Sequence, residues 1–282
     1  MFSWRPVLAG LLVSTGAAVT LATVWAAPAQ DVPLEELLAR LGAYVVAYER
    51  DMAAVVSEET YEQTVAPQGM LAAGFRKLKA EVLMARTGET GWVTFRDVVE
   101  VDGRAVTDRA DRLIQLFITP TGDSGEQVMR IIEASAKYNL GWVRRTINYP
   151  TMVLEFARPG EQARSQFRRG GTTRVGGIEA REIRFTERAM PRLIKTPDDA
   201  AAFGSFWVEE ATGRILRTEL RVTTGSTTST IGVSYGHQPK LDLWLPVLMI
   251  ERYSTPRQPT ISGRAIYTNF RRFDVQVATI IK

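Results

Sequence analysis

Residues 204–216 read GSFWVEEATGRIL and contain two strand-like runs around a tight turn. The first run, Ser205–Glu209, is rich in aromatic and β-branched side chains, which favour extended structure. Thr212-Gly213 supplies the turn, because glycine adopts backbone angles that other residues avoid. The second run begins at Arg214 and extends to Thr223. The segment therefore predicts two antiparallel strands joined by a short loop.

Strand-like segments continue on both sides of this hairpin, from residue 163 to the C-terminal end. Between them, residues 190–202 contain Pro191 and Pro197, and we expect a loop with a short helix there. The whole region predicts a long antiparallel meander. Its candidate strands are Arg164–Arg169, Gly177–Thr186, Ser205–Glu209, Arg214–Thr223, Thr228–Tyr235, Trp244–Tyr253 and Gly263–Val275.

The segment Leu243–Tyr253 is apolar at both odd and even positions. A strand with two apolar faces is normally covered on both sides. We therefore expect helices on one face and a partner, a ligand or a second layer on the other. Pro246 lies within this run and predicts an edge strand or a β-bulge.

The N-terminal half begins with a helical pattern over residues 31–54, where apolar side chains recur every three or four positions. Asp31 is a suitable cap for this amphipathic helix. Residues 77–106 change to a period of two and predict strands, with Asp102-Gly103 as a hairpin turn.

The middle of the chain, about residues 108–158, is predicted to be a helical insert. Ser124 is followed three residues later by Gln127, a pairing that caps helix N-termini. A further helical turn is expected after Pro150, over Met152–Phe156.

The order of helix, strands, helical insert and meander, with the 204–216 hairpin, resembles the periplasmic lipoprotein-carrier superfamily (the LolA-like fold). The blocks RDVVEVDGR at 96–104 and YNLG at 138–141 are similar to those of uncharacterised secreted bacterial proteins. The resemblance covers roughly residues 34–276. It implies an α+β fold in which a strongly curved, unclosed antiparallel sheet, a half-barrel, wraps around helices. It also implies an apolar concave face that accepts acyl chains, although the extra length of this chain could fill that face.

Residues 1–29 have the pattern of a secretory signal peptide. Arg5 precedes an apolar run, and Ala27-Pro28-Ala29 is a small-residue cleavage site. The alternative is a retained membrane anchor, because the run from Pro6 to Gln30 carries no charge and is long enough to span a bilayer. We expect an exported protein, periplasmic or extracellular, with residues 30–282 as one domain.

The composition is that of a globular protein, with 45% hydrophobic and 23% charged residues and a net charge of +4. The absence of cysteine excludes disulfides, thiol catalysis and a lipidated-cysteine anchor. Basic pairs such as Arg168-Arg169 are scattered, so nucleic acid is not an expected partner. Anionic lipid headgroups are the minority alternative for these basic residues.

Two short motifs resemble serine nucleophile sites, at Gly122–Gly125 (GDSG) and Gly232–Gly236 (GVSYG). Both chemistries need a histidine base, and the chain has one histidine, His237. It lies too close to Ser234 for a nucleophile elbow, which also requires a helix after the turn. No metal or cofactor motif is present, and we expect a non-catalytic protein, with a hydrolase as an unlikely alternative.

Asp97 shares a predicted strand face with Phe95, so its carboxylate is expected to be buried and paired. Arg109 and Arg112 are the expected partners. The primary functional hypothesis is the binding or carriage of a lipid, acyl chain or lipoprotein, and the alternative is an envelope scaffold or assembly partner without a small ligand. The candidate ligand-facing residues are Phe95, Ile231, Val233, Tyr235, Val247 and Met249.

Overall fold

The computed structural model describes residues 32–272, except 53–54, 68, 70–72, 88–90, 108–129, 131–132, 135, 144 and 146. Side chains of residues 84–93 are likewise not described. The predicted signal peptide, the capping pair Ser124 and Gln127, and the partners Arg109 and Arg112 therefore lie outside the described residues.

Eleven strands form one antiparallel sheet in the order β4-β3-β2-β1-β11-β10-β9-β8-β7-β6-β5. The first and last members do not pair with each other, so the sheet is an unclosed, curved half-barrel, as the sequence predicts. The strands are β1 Val55–Val65, β2 Gly74–Thr87, β3 Gly91–Val101, β4 Arg104–Ala105, β5 Ser165–Val175, β6 Ile178–Glu187, β7 Ala202–Val208, β8 Ile215–Thr224, β9 Thr227–Gln238, β10 Leu243–Thr255 and β11 Gln258–Arg272.

The helices lie on the concave face of this sheet. Helix α1 spans Leu34–Met52, a 3₁₀ helix spans Met152–Ala157, and the short α2 spans Pro159–Gln162. The apolar stripe of α1 is buried in the core with the side chains of the 3₁₀ helix and of the inner sheet face. Burial of such a stripe, more than helix propensity, holds a helix of this length in place.

All seven strands predicted in the meander are present, with bounds shifted by a few residues. The expected short helix within residues 190–202 is absent, and this prediction was wrong. Thr196 instead accepts a hydrogen bond from the backbone of Ala200 at 2.7 Å and closes a turn. Ile194 anchors this loop in the core and is 4% exposed.

Strand β1 was not predicted from the sequence, although it joins the two parts of the sheet. It pairs with β2 on one side and with β11 on the other. Its buried positions include Ser57, Glu59 and Gln63, so the apolar alternation that reveals a strand is missing.

Strand β10 has the bulge that Pro246 predicts. A register shift lies between Pro246 and Leu248, and the strand is inside the sheet and not at an edge. The helices cover its inner face, whereas Ile250 on the outer face is 44% exposed among the described residues. Cover of the outer face by a partner or a ligand stays a prediction.

The turn of the β7–β8 hairpin packs directly on α1. Gly213 has φ +71°, and a Cβ added there would lie 2.4 Å from the carbonyl carbon of Arg40. Gly225 in the β8–β9 turn has φ +55°, but a Cβ there would meet nothing within 4 Å.

We therefore expect Gly213→Ala to lower the free energy of unfolding more than Gly225→Ala does. Positive φ costs a non-glycine residue about 1–2 kcal/mol at both sites. Overpacking against α1 adds roughly 1–3 kcal/mol at Gly213 only. Denaturant unfolding of the two variants measures the difference, and equal losses would show that the turn does not press on the helix.

Candidate functional site

The concave face of the sheet, where the sequence places ligand contacts, consists of two parts. An apolar half is formed by β6 to β10 and lies against the helices. A polar half is formed by the inner residues of β1, β3 and β10 and lies against the segment 138–150.

The protein itself covers the apolar half. Ile231, Val233 and Met249 are 3%, 2% and 0% exposed and belong to the same core as α1 and the 3₁₀ helix. The hydroxyl of Tyr235 donates a hydrogen bond to the carbonyl of Pro150 at 3.1 Å. These four candidate ligand-facing residues therefore share one face, and side chains of the same chain occupy the space in front of them.

The other two ligand-facing candidates lie elsewhere. Val247 is the extra residue of the β10 bulge and is half-buried. Phe95 pairs in register with Leu83 and points to the outer face, because its neighbour Arg96 points to the inner one. The placement of Phe95 on the concave face is thus corrected, since a residue on a strand cannot share the face of its immediate neighbour.

Asp97 lies on the same outer face as Phe95 and is 4% exposed. The burial of this carboxylate agrees with the expectation from strand alternation. Arg109 and Arg112, the expected partners, lie outside the described residues, and the pairing stays a prediction.

Arg145 is the centre of the polar half. Its guanidinium donates hydrogen bonds to Glu251 at 2.6 Å and to the hydroxyl of Tyr61 at 2.6 Å. It also donates to the side chain of Gln63 and to the carbonyl of Leu140 at 2.7 Å. The side chains of Arg145 and Glu251 are both 0% exposed. A buried ion pair is tolerated only with such additional hydrogen bonds, which replace the lost water.

A second buried ion pair adjoins the first. Arg96 on β3 donates from Nε and Nη2 to the two carboxylate oxygens of Glu59 on β1, the Nη2 bond being 2.9 Å. The guanidinium carbon of Arg96 also lies 4.8 Å from the ring centre of Tyr61. Burial opposes the charge of Arg96, but the charge and hydrogen bonds of Glu59 outweigh it and raise the pKa of Arg96.

These side chains hold the segment 138–150 against the sheet. Gln63 accepts a hydrogen bond from the backbone of Leu140 at 2.8 Å, and Arg76 donates to the carbonyl of Tyr138 at 3.1 Å. Trp142 donates its indole N–H to the carbonyl of Pro259 at 2.8 Å. The polar half therefore fixes the segment 138–150, in the second part of the predicted insert. We call this set of residues the buried clamp: Glu59, Tyr61, Gln63, Arg96, Arg145, Glu251 and Tyr253.

Burial also controls the tyrosines of the concave face. It raises the pKa of Tyr61 and Tyr253 well above the ordinary value, and the nearby charge of Glu251 raises both further. Burial and then the charge of Glu59 raise the pKa of Tyr267. These hydroxyls stay protonated, and those of Tyr61 and Tyr253 donate to Glu251, the latter at 3.0 Å.

The clamp contains two carboxylates, as a carboxylate active site does, but these carboxylates are not accessible to solvent. Its two carboxylates are 1% exposed, and each is bound to an arginine. A substrate could reach them only by displacing the 138–150 segment. The geometry is that of a structural anchor.

The serine motifs do not form a nucleophile site in the described residues. Ser234 lies within β9, and the chain continues as strand to Gln238 and returns as β10, with no helix after it. His237 is the last residue but one of β9, and its Nε2 lies 2.9 Å from Oδ1 of Asp242. Ser124 lies outside the described residues.

Two surface clefts lie beside α1 and beside the 190–203 loop. One of about 500 Å³ lies between α1 and the β9–β10 turn and is lined by Tyr44, Asp51, Arg214, His237 and Trp244 among others. Another of about 250 Å³ reaches Arg145 and Tyr253 beside the 190–203 loop. Among the described residues, no three potential ligand side chains gather as a metal site, and no helix has the length and hydropathy of a membrane span.

None of the clamp residues is among the candidates drawn from the sequence. Glu58 and Glu59 are neighbours on β1, so their side chains point to opposite faces, and Glu59 is the buried one. Arg145 lies 106 residues from Glu251, and no local pattern connects them. The one sequence signal for these residues was that alternate positions of β1 are polar. This pattern fits a strand face exposed to solvent as well as a buried polar face, so it did not identify the clamp.

A comparison with solved structures finds several bacterial proteins that are similar to this chain. A putative outer membrane lipoprotein-sorting protein domain from Vibrio parahaemolyticus is 10% identical, with a TM-score of 0.39, over 88% of this chain and 94% of its own. A DUF1329 family protein from Desulfovibrio piger is 13% identical, with a TM-score of 0.40, over 86% and 95%. A LolA superfamily protein from Nitrosomonas europaea is 9% identical, with a TM-score of 0.36, over 89% and 99%.

The unclosed eleven-stranded sheet with helices on its concave face is the half-barrel that the resemblance to the LolA-like fold implies. No family model and no curated protein matches the sequence. At such low identity the likeness concerns the arrangement of the chain alone, so function has to be argued from the residues of this protein.

We expect Arg145→Met to lower the free energy of unfolding by about 3–5 kcal/mol, because it leaves Glu251 buried without its partner. The double variant Arg145→Met/Glu251→Met should cost less than the two single variants together. Lys79→Met is the matched control, since Lys79 pairs with Glu100 at 3.0 Å on the surface and should change stability by less than about 1 kcal/mol. Additive effects of the two clamp substitutions would contradict a direct interaction.

The raised tyrosine pKa values predict loss of stability in alkali. Above the unfolded pKa of about 10, unfolded tyrosines release protons that the folded protein retains, so the free energy of unfolding falls as pH rises. Tyrosinate absorbance should therefore increase together with the loss of circular dichroism, in one cooperative step. A gradual increase from pH 10 in a protein that stays folded would show that these hydroxyls are accessible.

Proposed function

We propose that this protein is an exported, non-catalytic envelope protein that acts as a binding and assembly scaffold, with a concave face closed by its own helices. The observation that carries the proposal is the burial of Ile231, Val233 and Met249 by the same chain. A carrier needs an apolar cavity of several hundred Å³ that can hold most of its ligand. Here the corresponding surface forms part of the protein core.

The clamp supports the same proposal. A permanent lipid-binding site in the polar half would place an acyl chain against two buried ion pairs. An acyl chain has no polar group that could pair with those charges. The Arg145–Glu251 pair instead fixes the 138–150 segment across the entrance to that half. A rigid, filled half-barrel presents its outer surface and its loops for contacts with partners.

Export is part of the proposal and is supported by the signal-like residues 1–29. The burial of both clamp carboxylates, each of them bound to an arginine, supports a non-catalytic role.

Native mass spectrometry of the protein purified from an envelope fraction tests the proposal, before and after extraction with organic solvent. We expect one polypeptide mass, beginning at Gln30, that extraction does not change. A discrete additional mass that extraction removes would overturn the scaffold and favour the lipid carrier. The same spectrum reports whether residues 1–29 are cleaved.

A further inference from the structure

The outer face of the sheet carries more arginines than carboxylates. They lie in adjacent register rows that cross β5 to β11, and aromatic and aliphatic side chains lie between them. We call this surface the arginine face. It consists of Arg168, Arg184, Arg217, Arg221, Arg252 and Arg264, with Phe203, Trp207, Leu248 and Ile250.

Two carboxylates lie within the arginine face, and both are already bound. Glu182 contacts Arg184 at 2.7 Å, which lowers the pKa of this carboxyl and keeps it ionised. Glu219 contacts Arg221 at 3.2 Å. Arg217 also contacts Glu219, at 4.0 Å. Glu62 on β1 lies opposite Arg264 at the margin of this surface, but it pairs with Lys77 at 3.1 Å. Six arginines thus share two carboxylates within the arginine face, so its charge is positive although the whole chain is only mildly basic.

Three of these arginines are free of ion pairs among the described residues. Arg168, Arg252 and Arg264 are exposed and lie on β5, β10 and β11. Cross-strand pairs of opposite charge are favourable. Arg264 lies opposite Glu62 on β1, but no ion pair forms between them, because Glu62 pairs with Lys77. Arg252 instead faces Thr230 and Ser262, and Arg168 faces Arg184.

The apolar members are exposed beside these charges. Ile250 is 44% and Phe203 is 37% exposed. Arg221 lies over the ring of Phe203 at 5.6 Å, and Arg217 lies over the ring of Trp207 at 4.6 Å. Such cation–π contacts hold the charge and the apolar ring together at the surface. Aromatic rings accompanied by arginine are suited to the region between lipid headgroups and acyl chains.

The shape of the surface distinguishes between possible partners. Strands β6 to β11 lie inside the sheet, so their backbone groups are already paired and offer no edge to an added peptide strand. The contact must be made by side chains spread over several strands. A broad surface of anionic headgroups satisfies such a pattern without a groove.

We propose that the arginine face docks this protein peripherally on an anionic lipid surface, with Phe203 and Ile250 entering the headgroup layer. The inference rests on the proposed envelope location. It assigns a surface and a partner to the scaffold, while the concave face stays closed.

The test is co-sedimentation of the full protein with vesicles of phosphatidylcholine alone or mixed with phosphatidylglycerol. We expect binding to the anionic vesicles only, weakening as salt screens the charges. Arg168→Glu/Arg252→Glu/Arg264→Glu should reduce the binding constant by roughly tenfold or more, since each exposed arginine adds to the attraction. The matched control is Arg104→Glu/Arg174→Glu/Arg257→Glu, which changes the net charge equally at exposed positions outside the arginine face.

An equal loss of vesicle binding in the two triple variants would contradict the arginine face as the binding surface and leave only an effect of net charge. Equal binding of the protein to neutral and anionic vesicles would contradict the electrostatic mechanism. Binding to soluble polyglutamate but not to vesicles would show that the partner is an acidic polypeptide and not a membrane. Circular dichroism of both variants verifies that they fold. An extractable cargo in the mass spectrum would end the scaffold proposal without affecting these vesicle results, so the two failures can be told apart.

Discussion

The ion pair between Arg145 and Glu251 is the interaction on which the interior of this half-barrel depends. It connects the segment 138–150 to the centre of the sheet, where no solvent reaches either charge. Removal of two charges from water is costly, and hydrogen bonds with Tyr61, Gln63, Tyr253 and a backbone carbonyl offset much of that cost. A cluster of this kind tolerates few changes in geometry, so it specifies one placement of the segment.

The clamp also determines what the concave face can bind. An unclosed curved sheet can accept an external apolar ligand or bury its own helices, and the backbone alone does not decide between them. In this chain the stripe of α1, the 3₁₀ helix and Ile194 occupy the apolar half, and the clamp occupies the rest. The sheet is thereby a support for the outer surface, where the unpaired arginines lie.

The sequence predicts those elements whose side chains follow a regular period between core and solvent, every second residue in a strand or every third to fourth in a helix. The meander strands and α1 belong to this group, and their positions are confirmed within a few residues. It failed at β1, where Glu59 and Gln63 point inward and the apolar alternation is missing. Four of the six ligand-facing candidates share the concave face, but Phe95 does not, because placing one strand relative to another requires a register that sequence alone does not supply. The ionic partners of β1 are distant in sequence, so no local pattern could reveal the site.

The position of β1 between β2 and β11 has a consequence for biogenesis. Asn269 on β11 bonds to Glu58 on β1, 211 residues earlier, and β1 to β4 join the other described strands only through β11. Pairings between such distant segments form late, because a long loop has to close first. Strands β1 to β4 can pair with one another as hairpins, but the chain cannot complete its sheet before β11 has emerged from the ribosome. Delayed closure of this kind keeps a polypeptide threadable through a narrow translocation pore.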